Sequence, residues 1–188
     1  RRYARLAAMA LKSTIFKIDL QIADMDRGYY ADHALTIARH PSETDERMMA
    51  RVLAFALFAA DDLSFGNGLS TNDEPDLWRR DLTGEVLLWV DVGQPDEKLI
   101  RKACHRAQQV VVLTFGRVAN VWWAQNRHQL ERLPKLRVLH LEAEHVEALA
   151  ALVERTLRLQ CTVQDGHIWL GHAQETVELA VQEWKAWA

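Results

Sequence analysis

From Lys12 to Asp24 the chain alternates, with Phe16, Ile18, Leu20 and Ile22 on one side and Ile15, Lys17, Asp19 and Gln21 on the other. A period of two is that of a half-buried strand. The turn Asp26-Arg27-Gly28 follows, and Tyr29 to Ala38 reads as the hairpin partner. The period then changes. Pro41-Ser42-Glu43-Thr44-Asp45 opens a helix with Ser42 as its expected N-cap and Asp45 completing a capping-box-like pair. Met49, Val52, Leu53, Ala56 and Leu57 recur at steps of three and four and give that helix a buried stripe, ending near Ala60.

Residues 61–75 are turn-rich and predict a mobile loop, with a short strand near Leu63 to Phe65. A hairpin follows: Leu77 to Arg80 and Glu85 to Val92 around Asp81-Leu82-Thr83-Gly84. Helices are predicted at Pro95 to Ala107, Arg117 to Leu130 and Ala143 to Leu157. Apolar strands are predicted at Gln109 to Phe115 and Leu136 to Leu141. Gln160 to Gln164, His167 to Gly171 and Thr176 to Val181 complete an antiparallel edge, with Asp165-Gly166 as a strong hairpin turn. This order predicts a mixed α/β fold, a central sheet flanked by helices. The length of 188 residues fits one domain, taken as residues 9–188. Met9 reads as a natural start, so residues 1–8 read as a tag or upstream extension.

Composition narrows the classes. The chain is 49% hydrophobic with a net charge of -3, which argues against indiscriminate coating of DNA. Cys104 and Cys161 lie on apolar positions and show no zinc spacing, so both read as reduced core residues. With no apolar run long enough to span a bilayer, the expectation is a cytoplasmic protein without a membrane partner.

Chemistry concentrates between Glu74 and Arg106. With Arg80 opposite Glu85, Asp76 falls opposite Trp89, and Asp76 and Asp91 become diagonal neighbours on one face, ~7 Å or less apart. Two carboxylates at that distance repel unless a cation lies between them, and an oxygen-only donor set suits Mg or Mn. The next helix carries Lys98, Arg101, Lys102 and His105 on one face with no acid among them, a pattern suited to tracking nucleic-acid phosphates. The same residues also read as a loop cap, a strand end and a solvated helix face.

The SETDERMM helix, the PDLW…GEVLLWVDVGQPDEK…IRKACHRA block and the WW helix resemble the YaeQ family over about Met9 to Trp187. That family's fold is similar to the PD-(D/E)XK restriction-endonuclease-like superfamily. The resemblance implies such a core, with an N-terminal β-hairpin and a C-terminal antiparallel edge. It further implies that Asp76 and Asp91 are metal ligands, and that Glu46 holds a second ion or orients water. Gly93 stands at the motif's lysine position with Gln94 after it, so Lys98 or Lys102 is the expected replacement. The activity implied is metal-dependent hydrolysis of DNA or RNA phosphodiesters. The alternative is a non-catalytic protein that binds nucleic acid or a protein partner through a degenerate nuclease fold.

Overall fold

The computed structural model describes residues 12–67 and 73–188. Its strands are β1 (Thr14–Asp24), β2 (Tyr29–Arg39), β3 (Leu63–Phe65), β4 (Leu77–Arg80), β5 (Val86–Val92), β6 (Ala107–Phe115), β7 (Leu136–Leu141), β8 (Thr156–Gln164), β9 (His167–Gly171), β10 (Thr176–Leu179) and β11 (Gln182–Lys185). Its helices are α1 (Asp45–Phe58), α2 (Glu97–Arg106), α3 (Val118–Leu130) and α4 (Ala143–Ala150).

The mixed α/β expectation holds, but the strands form two sheets rather than one. The first runs β10-β9-β8-β1-β2 and the second β11-β7-β6-β5-β4-β3. The N-terminal hairpin and the C-terminal edge, far apart in sequence, join through a parallel pairing of β1 with β8 that sets Leu20 level with Leu159. In the second sheet β5, β6 and β7 are parallel and β4 and β11 are antiparallel to their neighbours.

Alternation along the strands builds two cores. Leu88, Val90, Val111, Leu113, Leu139 and Leu141 point towards α1 and the first sheet. Trp89, Val110, Val112, Leu136 and Val138 point the other way, onto α2 and α3. Helix α1 packs on β1 of one sheet and on β5 and β6 of the other. It therefore has no solvated stripe along most of its length: every residue from Met48 to Ala56 is buried, Arg51 included. A helix buried all round is the expected form for an element held between layers.

The details depart from the sequence pattern in instructive ways. The N-cap of α1 is Thr44, whose hydroxyl accepts from the Arg47 N–H, while Ser42 bonds to His40 instead. Helix α4 stops at Ala150, so the stretch expected to continue it to Leu157 turns and enters β8. There Leu157, Leu159, Cys161 and Val163 are buried while Thr156, Arg158 and Gln160 face out, a period of two that overrides the helix. Strand β11 has no clear alternation of its own and is recruited by pairing with β7.

One core polar group gives a pH test. His140 on β7 has no exposed surface and stacks on Trp184 with ring centroids 4.1 Å apart. The Thr114 hydroxyl donates to the Leu139 carbonyl, so it accepts from His140 Nδ1–H at 2.9 Å, leaving Nε2 as a bare acceptor 3.8 Å from Glu142. Burial lowers the His140 pKa. A group with a depressed folded pKa gives stability that is present above the unfolded value, roughly 6.5, and is lost as pH falls below it. Urea midpoints are therefore expected to drop as pH falls below about 6.5, and His140→Phe is expected to flatten that drop. An equally steep drop in the variant would assign the acid sensitivity to another group.

Candidate carboxylate site

Three segments meet where β5 ends. Asp76 precedes β4, Asp91 and Val92 close β5, and Glu43 and Arg47 come from the start of α1. The register of the hairpin is shifted by one residue at the turn, where Arg80 meets Val86 rather than Glu85, and by another at a bulge between Arg79 and Arg80, so that Trp78 pairs with Trp89 and Leu77 with Val90. Asp76, the residue before Leu77, therefore lies beside Asp91 and Val92 rather than opposite Trp89. Gly66 helps fix this place: its N–H donates to the Asp76 carbonyl at 3.0 Å, and a β-carbon there would lie 2.0 Å from the Pro75 carbonyl oxygen.

Neither oxygen of Asp76 is idle. Arg47 Nη2 donates to Oδ1 at 2.7 Å and the Val92 N–H donates to Oδ2 at 2.7 Å. The same Nη2 reaches the Val92 carbonyl at 3.2 Å, and Nη1 pairs with Glu43. Glu43 in turn accepts from Arg51, which also donates to the Ala38 carbonyl. Asp76, Glu43 and Arg51 are all buried. The result is a chain of alternating charges, Asp76–Arg47–Glu43–Arg51. Burial works against the Arg47 charge, but Asp76 and Glu43 outweigh it and hold the guanidinium above its ordinary range.

Asp91 is the other half of the pair. Desolvation pushes its carboxyl up to about 7, opposed by a hydrogen bond from the Trp89 indole at 2.9 Å and reinforced by the Asp76 charge. Near neutral pH this group is close to half protonated.

The remaining candidates separate. Glu46 and Gln94 lie in a different place, a crevice of about 340 Å³ at the carboxyl ends of the parallel strands, with Arg117 and Glu147. Gln94 donates to the Phe115 carbonyl at 3.0 Å. Lys98 is exposed and its side chain forms no ion pair among the described residues. Lys102 pairs with Asp73 at 3.0 Å and Arg101 pairs with Glu97. Neither lysine is an ion-pair or hydrogen-bond partner of Asp76 or Asp91. His105 is exposed on the same helix. Arg106, which the sequence pattern did not single out, lies over the Trp89 ring at 4.9 Å, and Arg80 lies over Trp78 at 4.2 Å. Gly93 explains the absent motif lysine. Its φ is 114°, a conformation in which any side chain is strained.

The superfamily likeness implies a divalent ion here, and the donor set does not fit one. Among the described residues no three His, Cys, Asp or Glu side chains converge. Asp76 is saturated by Arg47 and Val92, Asp91 is driven towards its neutral form, and Glu46 belongs to another crevice.

A model of the YaeQ protein family matches residues 9–181. The chain belongs to the YaeQ family. It is 42% identical over 178 residues to the YaeQ protein of Escherichia coli (strain K12), covering 94% of this chain and 98% of that one. The Shigella flexneri YaeQ protein matches at the same 42% over 178 residues. Among solved structures, the YaeQ protein from Xanthomonas axonopodis pv. citri superposes with a TM-score of 0.90 at 50% identity, covering 93% of this chain and 99% of that one. The YaeQ protein from Pseudomonas syringae gives 0.89 at 33% identity, with 93% and 97% covered. The family's architecture, two mixed sheets with four helices among the described residues, is thus the architecture of this chain. No helix among the described residues is long and apolar enough to cross a membrane.

Proposed function

We propose that this YaeQ-family protein binds nucleic acid through the exposed face of α2 and does not cut it. The observation that carries the non-catalytic half is the saturation of Asp76 by Arg47 and the Val92 N–H. A nuclease of the PD-(D/E)XK kind needs that carboxylate open to an ion, and here it is spent on an internal pair. The binding half rests on charge and exposure. Lys98, Arg101, Lys102, His105 and Arg106 are all exposed on one helix. The pairs Arg101–Glu97 and Lys102–Asp73 are solvent-screened surface pairs, which a phosphate can displace. Arg106, the last residue of the helix, keeps its guanidinium over the Trp89 ring and adds a further cation to that face.

Fluorescence anisotropy with labelled single- and double-stranded oligonucleotides tests the reading. Affinity is expected to fall linearly on a log–log plot against salt. Lys98→Ala with Lys102→Ala is expected to make the slope shallower by roughly two, about one for each phosphate that is no longer neutralised. Binding that ignores both salt and these substitutions would move the function to another surface.

A further inference from the structure

We propose that the Arg47 guanidinium stands where a divalent ion would stand, as a cation built into the chain, and that its removal opens a latent metal site between Asp76 and Glu43 with Asp91 beside it. The inference concerns the carboxylate end of the hairpin alone and is independent of what α2 binds.

Three observations converge on Arg47. First, its partners have the chemistry of ion ligands: a carboxylate oxygen of Asp76, a carboxylate oxygen of Glu43 and the carbonyl oxygen of Val92. All are hard oxygen donors of the kind that Mg and Mn take. One guanidinium carries a single positive charge and reaches all three through a planar fork. Second, the site keeps its acids. Asp76 and Glu43 are buried, and a buried carboxylate needs a counter-charge of some kind. Third, the arginine is fixed rather than adventitious. It sits in the first turn of a helix held between two sheets, and Thr44 caps that turn through the Arg47 N–H itself. The neighbouring guanidinium of Arg51 braces Glu43 from the other side.

A fixed guanidinium and a divalent ion exclude one another, because both need the same oxygens and their charges repel.

The test uses Mn²⁺ alone, without nucleic acid. Calorimetric titration and Mn²⁺-dependent thermal shift are measured on the wild-type chain, Arg47→Ala, Arg47→Lys and Arg47→Ala with Asp76→Asn. Wild type and Arg47→Lys are expected to show no saturable heat and no thermal shift. Arg47→Ala is expected to gain both, and the second substitution is expected to remove the gain. If Arg47→Ala does not fold alone, folding restored by Mn²⁺ supports the proposal, and rescue by Arg47→Lys without rescue by Mn²⁺ overturns it. The proposal also falls if wild type binds Mn²⁺ and loses it in Asp76→Asn, or if a folded Arg47→Ala binds none.

Discussion

Asp76→Ala is expected to destabilise the protein by about 3–5 kcal/mol in urea unfolding at pH 7, the range seen when one partner of a buried pair is deleted. Two losses combine. Arg47 keeps Glu43 but loses the carboxylate at Nη2, which retains only the Val92 carbonyl. The Val92 N–H, buried at the end of β5, loses its acceptor. An unsatisfied buried donor alone costs ~1–3 kcal/mol. Asp76→Asn keeps an oxygen for Val92 and should fall between alanine and wild type. A carboxylate pair waiting for a metal ion behaves in the opposite sense: deletion of one member relieves repulsion and leaves metal-free stability unchanged or raised. An unchanged or increased urea midpoint in Asp76→Ala would show that the ion pair with Arg47 contributes nothing.

The second large effect is on pH dependence and comes from Asp91. Its carboxyl is raised to about 7 by burial, against an ordinary aspartate value of 3.8. A folded pKa above the unfolded one gives stability that is complete below the unfolded value and is lost as pH rises through the folded value. The window is therefore from about pH 4 to just above 7, with stability falling as pH rises. A shift of this size corresponds to roughly 4 kcal/mol at 1.36 kcal/mol per unit, and the partial exposure of Asp91 reduces the expectation to about 2–3 kcal/mol. Asp91→Asn cannot titrate, and its amide oxygen can still accept from the Trp89 indole. The variant is expected to gain on wild type between about pH 5 and 8. This trend is opposite in sign to that of His140, so the paired variants separate the two groups. Parallel stability profiles for wild type and Asp91→Asn would mean that the carboxyl is ionised throughout.

Most of the fold is legible in the chain, because alternation and helical periodicity report burial directly. Phe16, Ile18, Leu20 and Ile22 predict the inward face of β1, and all four are buried. What is not legible is long-range partnership. Nothing in β1 says that it pairs in parallel with β8, more than 130 residues later, and so divides the strands into two sheets. The hairpin register differs from the expected one in part because a bulge leaves no mark in the pattern of apolar residues; Leu87 is the residue skipped between the pairs Arg80–Val86 and Arg79–Leu88.

The site is half legible. The sequence puts Asp76 and Asp91 together at the end of the hairpin, and there the Asp76 charge acts on Asp91. Resemblance places Glu46 with them, yet it is Glu43, one helical turn earlier, that joins the network. The signal is present in the spacing. Glu43, just ahead of α1, and Arg47 and Arg51 within it recur every four residues, and an arginine buried on such a helix needs an acid within reach. The basic face of α2 is a face as expected, but among the described residues neither of its lysines pairs with Asp76 or Asp91: Lys102 turns to Asp73 instead.

The most direct test of a closed carboxylate site with nucleic acid bound outside it is a single anisotropy titration performed twice, in chelator and in excess Mg²⁺, with the oligonucleotide recovered and sized afterwards. The expected result is the same affinity in both buffers at equal ionic strength and an oligonucleotide of unchanged length. Affinity that appears only with Mg²⁺, or shortened products that vanish in Asp76→Asn, would contradict it.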